Sequence, residues 1–241
     1  MSDIFDSFEV IPAIDIQDQK VVQLVQGETG TETTYGDPVT VAKRWADEGA
    51  ESLHIVDLDG AFDGERKNAE AVSAIRSAVD IPLQLGGGIR HVDDAINLLN
   101  GGISRVVLGT AAVESPSIVR EISTTHPMGA VVSLDAKDGE VVVEGWTEST
   151  GLNPATAAER FEAAGAAAIL FTDIDVEGTL DGVQTTVTER VATSVDIPVI
   201  ASGGVSTVAD IRQLRSVGAS AVIIGTALYE DKFSLAEALS L

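Results

Sequence analysis

The sequence predicts an α/β fold, a (β/α)8 TIM barrel built from two similar half-barrels. Three observations carry this. Short runs rich in Val and Ile alternate with amphipathic stretches from end to end. The second half of the chain repeats the first. Four glycine-rich turns stand at matching places in the two halves.

The strands are expected at Val10–Ile14, Ser52–Asp57, Ile81–Leu85, Arg105–Leu108, Ala130–Leu134, Ala167–Phe171, Ile197–Ala201 and Ala221–Ile224. Helices are expected between them, among others at Pro38–Glu48, Asn68–Ala78, Val92–Asn100 and Pro154–Ala163. Eight strand–helix alternations imply a parallel sheet, which can either close into a barrel or stay open and doubly wound. The repeat favours the barrel. Sliding the sequence by 116 places aligns Gly87–Glu114 with Gly203–Glu230 without a gap, with 12 identities in 28 positions. The same offset matches Asp57 to Asp173 and Asp59 to Asp175, and a shift of 120 matches Asp15 to Asp135 and Asp18 to Asp138. An open sheet does not predict such a two-fold. No linker or composition shift breaks the chain, so one domain over 1–241 is expected, with half-barrels of about 1–120 and 121–241.

Composition narrows the function. The 241 residues are 44% hydrophobic but only 4% aromatic, so the core must come from Val, Ile, Leu and Ala. Acids outnumber bases 38 to 15, for a net charge of −23 spread along the chain. That balance argues against a nucleic-acid partner, which needs a basic patch. It suits a protein adapted to high salt, where charges are screened over about 3 Å. The absence of Cys rules out disulfides, thiolate nucleophiles and Cys-based metal sites. No apolar stretch reaches the roughly 18 residues of a membrane span, and Met1 to Glu9 does not read as a signal peptide. The expectation is a cytoplasmic protein, a monomer, without membrane contact.

The glycine turns point to phosphate. Gly86-Gly87-Gly88, Gly109-Thr110-Ala111, Ser202-Gly203-Gly204 and Gly225-Thr226-Ala227 follow the third, fourth, seventh and eighth strands. Glycine lets the backbone approach an anion, and helix N-terminal N–H groups can hold it. A single turn would say only that the chain bends sharply there. Two matched pairs imply two sites, made by Gly87, Gly88, Gly109 and Thr110 on one side and Gly203, Gly204, Gly225 and Thr226 on the other. The ligand is then a small molecule with a phosphate at each end. Backbone groups can bind it despite the acidic charge, and Arg90 can add a local positive charge.

Carboxylates are the candidates for chemistry. Asp15 and Asp135 end the first and fifth strands and point toward the mouth of a barrel, where an unpaired acid is costly to keep. Glu177 follows the sixth strand. Carboxylates on either side of a sugar suit acid–base isomerisation, one protonating the ring and one removing a proton from carbon. His54, His91 and His126 have no metal-ligand or triad spacing, so no metal is expected; His54 reads as a strand residue and the others as surface loops. Gly27–Gly36 and Gly60–Gly64 read as loops able to cover the mouth.

Several motifs together resemble the histidine-biosynthesis isomerase family: Val10-Ile11-Pro12-Ala13-Ile14-Asp15, Val56-Asp57-Leu58-Asp59-Gly60-Ala61, Gln84-Leu85-Gly86-Gly87-Gly88-Ile89-Arg90, Glu144-Gly145-Trp146 and Ala201-Ser202-Gly203-Gly204-Val205. The resemblance runs from about residue 9 to 239. It implies a cofactor-free Amadori rearrangement of an aminoaldose phosphate to an aminoketose phosphate. It implies Asp15 as general base, Asp135 in support, and Trp146 and Thr172 at active-site positions. The family's general acid is usually Asp in an Asp-Gly-Thr motif, where this chain has Glu177. Either Glu177 reaches one methylene further or Asp175 takes part. A sister family, the cyclase subunit that pairs with a glutaminase, shares the fold. It usually has Cys at the place of Ala13 and Ser-Met-Asp at the place of Asp173-Ile174-Asp175. A dual isomerase that also serves tryptophan synthesis is similar too.

Overall fold

The computed structural model describes residues 4–241. Eight parallel strands form the barrel: β1 (Glu9–Gln17), β2 (Leu53–Asp57), β3 (Leu83–Gly86), β4 (Arg105–Leu108), β5 (Ala130–Lys137), β6 (Ala168–Asp173), β7 (Val199–Ser202) and β8 (Ala221–Ile224). Each pairs with its neighbours in sequence, and β1 pairs with β8 from Glu9↔Ala221 to Pro12↔Ile224. The ring is completed between β5 and β6, from Ala168↔Val131 to Asp173↔Ala136. The sheet is therefore closed, as expected, and not the open doubly wound alternative.

Helices α1 (Pro38–Asp47), α2 (Leu58–Asp63), α3 (Ala69–Ala78), α4 (Val92–Asn100), α5 (Thr110–Glu114), α6 (Ser117–Thr125), α7 (Pro154–Ala164), α8 (Thr185–Ser194), α9 (Val208–Ser216), α10 (Thr226–Tyr229) and α11 (Leu235–Leu239) fill the connections. Local chemistry sets several of their ends. Asp37 caps α1 by accepting from the Thr40 N–H, and Pro38 occupies the first turn, where its missing N–H costs nothing. Asn153 and Pro154 start α7 in the same way, and Gly165 stops it in the left-handed conformation. Thr207 and Asp210 form a reciprocal capping box at α9.

Strand pleating sorts the core. Successive residues face opposite sides of the sheet. On β1, Val10, Ile14 and Ile16 pack outward with the helix-facing core, whereas Ile11 and Ala13 face the barrel axis. Val131, Ala168, Leu170, Ile200 and Ile223 join them inside. The same alternation turns Asp15 and Asp135 inward, since each lies two residues beyond an inward position on its strand.

Three expectations are corrected. β1 and β5 run three residues beyond Ile14 and Leu134. Each is prolonged by an antiparallel hairpin, Lys20–Gln23 on β1 and Glu140–Val143 on β5, in equivalent register: Asp15↔Val22 and Asp135↔Val142. The polar residues there read as strand ends in sequence, but they alternate into the mouth. The loop expected at Gly60–Gly64 is instead the body and left-handed cap of α2, started by Asp57 accepting from the Gly60 N–H. Likewise, part of Gly27–Gly36 is a short strand, Thr33–Gly36, paired to the first hairpin.

The hairpins also carry the repeat into three dimensions. Asp18 and Asp138 turn them with φ of 47° and 51°. The Asp18 N–H donates to Asp59 Oδ2 at 3.0 Å, and the Asp138 N–H donates to Asp175 Oδ2 at 3.1 Å.

Few bases neutralise the acidic surface. Among the described residues the ion pairs are Arg44–Glu48, Arg44–Asp231, Lys67–Asp63 and Lys232–Glu230, all between exposed side chains. Most acids therefore meet other acids and solvent, and salt that screens them should stabilise the fold. The melting temperature is expected to rise by about 10 °C or more between 0.2 and 2 M KCl. A temperature that is flat or falls over that range would contradict this account.

Candidate active site

A cavity of about 270 Å³ opens at the carboxyl ends of the strands. All of the expected site residues line it: Asp15, Asp135 and Glu177, the glycines 87, 88, 109, 203, 204 and 225, and Arg90, Thr110, Trp146, Thr172 and Thr226. They come from both halves of the chain, and closure of the sheet brings them together.

The two phosphate-type turns match in conformation. Gly87 and Gly88 have φ of 94° and 70°; Gly203 and Gly204 have 101° and 73°. A Cβ on Gly87 would fall 2.1 Å from the Asp57 carbonyl oxygen, and one on Gly203 would fall 2.5 Å from that of Asp173. Only glycine fits these places. Gly109 (φ −99°, ψ −106°) and Gly225 (φ −106°, ψ −101°) are near copies, and each leads into a short helix that begins with a threonine. The β3–β4 and β7–β8 turns lie across the ring from one another.

Three carboxylates share the cavity in different surroundings. Asp135 accepts two hydrogen bonds, from Ser133 Oγ at 2.9 Å and from Trp146 Nε1 at 2.9 Å. Trp146 reaches it from a left-handed backbone conformation (φ 70°), with its ring against Gly27. Asp15 accepts one bond, from Gln23 Nε2 at 3.0 Å. Desolvation raises its carboxyl to about 7, with that bond opposing the shift. Glu177 is pushed further, to about 8, first by desolvation and then by the negative charges of Asp15, Asp135 and Asp173.

Asp175 is not part of this group. It is exposed, and its carboxylate holds the Asp138 hairpin, as its repeat partner Asp59 holds the Asp18 hairpin. Of the two acids open to choice in the sequence, Glu177 is the one that faces the cavity. Its loop packs closely on the one after β1. The Gln26 N–H donates to the Glu177 carbonyl at 3.2 Å, and a Cβ on Gly178 would fall 2.7 Å from the Leu24 carbonyl oxygen.

Four polar lining residues were not assigned a site role from the sequence: Gln23, His54, Ser133 and Ser202. Strand alternation could have found the last three, each at an inward position on its strand. Gln23 lies in the unforeseen hairpin. His54 belongs to a buried polar chain in the first half of the barrel. Arg105 Nε donates to Gln84 Oε1 at 3.4 Å, and the Gln84 amide nitrogen lies 2.9 Å from His54 Nδ1. A guanidinium can only donate, so the Gln84 oxygen faces it and the amide N–H faces the imidazole. His54 then accepts at Nδ1 and carries its proton on Nε2. Desolvation and the Arg105 charge lower its pKa to about 4, so the ring is neutral at pH 7. His91 and His126 lie at helix ends, at the start of α4 and the end of α6.

No group of His, Asp or Glu among the described residues is arranged to hold a metal ion, and no helix there is long and apolar enough to cross a membrane.

Comparison with known proteins agrees with this geometry. Residues 9–234 match the family described as histidine biosynthesis protein. The chain is 66% identical over 234 residues to a protein of Natronomonas pharaonis, covering 97% of this chain and 98% of the relative. It is 64% identical over 239 residues to one of Haloquadratum walsbyi, covering 99% and 98%. It is 49% identical over 237 residues to one of Methanosarcina barkeri, covering 96% and 97%. All three relatives are named 1-(5-phosphoribosyl)-5-((5-phosphoribosylamino)methylideneamino) imidazole-4-carboxamide isomerase, which is neither the cyclase nor the dual enzyme. The two haloarchaeal relatives accord with the salt adaptation inferred from charge. The chain belongs to the histidine biosynthesis protein family.

Proposed function

We propose that this protein is the aldose–ketose isomerase of histidine biosynthesis, acting without a cofactor on the bisphosphorylated aminoaldose named in its relatives. The observation that carries the reading is geometric: Asp15 and Glu177 line one cavity between two matched glycine turns, and burial raises both carboxyls, Asp15 to about 7 and Glu177 to about 8. Near neutral pH the weaker acid keeps its proton and the stronger one can give its proton up. The negative charges beside Glu177 favour it as the acid, and the bond donated by Gln23 favours Asp15 as the base.

In this reading each turn holds one phosphate, with Gly87, Gly88, Gly109 and Thr110 at one end and Gly203, Gly204, Gly225 and Thr226 at the other. Arg90 adds charge beside the first. The sugar is then stretched across the carboxylates. The lone pair of the glycosylamine nitrogen expels the ring oxygen, which takes the proton of Glu177, and C1 becomes an iminium carbon. Asp15 removes the proton from C2, and the freed electrons pass through C1 to nitrogen, giving an aminoenol. The C2 hydroxyl loses its proton as C1 gains one, which leaves the ketose. Asp135, held by Ser133 and Trp146, lies beside the developing positive charge. Thr172 and the neutral His54 offer hydrogen bonds to the sugar. In this reading the protein acts in the cytoplasm as a monomer, and the carboxylates and glycine turns given roles here all come from one chain.

Purified protein, assayed in high salt on the aminoaldose, should form the ketose without added ammonia. Asp15→Asn and Glu177→Gln should each lower kcat/KM by about 10²–10⁴. Full activity in Asp15→Asn would refute the base assignment. The wild-type pH profile of kcat/KM should be a bell with limbs near 7 and 8, and Glu177→Gln should lose the alkaline limb.

Stability offers a separate check. A carboxyl whose pKa is raised by folding binds its proton more tightly in the native state, so stability falls as pH rises from its unfolded value of 4.5 to about 8. Glu177→Gln removes this penalty. Its melting temperature should match the wild type near pH 4.5 and exceed it by about 2 °C or more at pH 8. Equal melting temperatures at pH 8 would contradict the desolvation of Glu177.

A further inference from the structure

Gln23 touches both the proposed base and one of the glycine turns. Its amide nitrogen donates to Asp15 Oδ2 at 3.0 Å and to the Val22 carbonyl at 3.0 Å. The Val22 carbonyl can only accept, which fixes the amide with its oxygen on the far side. That oxygen accepts from Thr226 Oγ1 at 3.2 Å. It also explains Gly225: a Cβ there would fall 2.2 Å from Gln23 Oε1. The side chain is buried.

The other half of the barrel has no such link. The place equivalent to Gln23 is Val143, and a Cβ on Gly109 would meet nothing within 4 Å. Thr110 Oγ1 accepts from the Glu144 backbone N–H instead. The donors to Asp135 are Ser133 and Trp146, neither of them part of a glycine turn. Chain symmetry therefore does not require Gln23.

We propose that Gln23 is a positioning residue that orients the Asp15 carboxylate and ties it to the Gly225-Thr226 turn, so that the base and one phosphate cradle are set as a unit. This rests on the assignment of Asp15 as general base. Gln23 itself needs no contact with the reacting carbons. It stabilises the ionised carboxylate by its donated bond, and Thr226 stabilises the donor by bonding its carbonyl.

The test is the pH profile of kcat/KM for Gln23→Leu, Thr226→Val and the double variant, with circular dichroism to confirm folding. In Gln23→Leu the acid limb should move upward by about one pH unit, which lowers kcat/KM about tenfold at pH 6. The alkaline limb should stay in place. Thr226→Val should shift the acid limb in the same direction by less, and the double variant should shift it no further than Gln23→Leu. A loss that is uniform across pH in Gln23→Leu would overturn the proposal, and so would additive limb shifts in the double variant. If Gln23→Leu does not fold, Thr226→Val decides alone: an unmoved acid limb overturns the link. Failure of the underlying reading looks different, because Asp15→Asn would then turn over substrate as well as the wild type.

Discussion

The alternation of side chains along a closed parallel sheet is the constraint on which the rest depends. Each strand must bury apolar residues on two faces, outward under the helices and inward on the axis. Ile11 and Ala13 satisfy the inward face of β1, and the next inward position is Asp15. The same count along β5 passes from Val131 through Ser133 to Asp135. A shift of one residue in either strand would send its carboxylate into the hydrophobic shell beneath the helices. Register therefore fixes the chemistry as firmly as it fixes the core.

Placing acids at the mouth creates an electrostatic difficulty, and the fold meets it unequally. Asp135 receives two donors, Asp15 receives one, and Glu177 has neighbouring negative charges without a compensating donor among the described residues. Burial raises the proton affinity of Asp15, and the added negative charges raise that of Glu177 further. The two halves descend the same sequence pattern but diverge inside the barrel. The first half carries His54, Gln84 and Arg105 toward the axis, whereas the equivalent places of the second are Leu170, Ile200 and Ala221. The symmetric parts, the glycine turns and hairpins, suit the two ends of a ligand. The asymmetric parts suit a reaction that happens at one end of a sugar.

Much of this was legible in the sequence, and for identifiable reasons. Strand runs and glycine turns are local signals, and the repeat supplied the long-range information that closed the barrel. All of the expected site residues line the one cavity because strand ends and the turns after them converge at the mouth. The hairpins beyond Asp15 and Asp135 were not legible, since each returning arm, Lys20-Val21-Val22-Gln23 or Glu140-Val141-Val142-Val143, is only four residues long and follows a polar turn. Gln23 was hidden with them. The choice between Glu177 and Asp175 was also out of reach: both follow β6, and only the geometry of the turn shows that Asp175 spends its carboxylate on the Asp138 hairpin. His54 gave no spacing signal, because its partners Gln84 and Arg105 come from later strands.

The central claim is that Glu177 holds its proton to a higher pH than Asp15 does. Infrared difference spectroscopy across a pH titration tests it directly, since a protonated carboxyl absorbs apart from a carboxylate. A protonated carboxyl band should survive to about pH 8 in the wild type, and its part above about pH 7 should be missing from Glu177→Gln. Complete ionisation of every carboxyl by pH 6, or an unchanged band in Glu177→Gln, would contradict it.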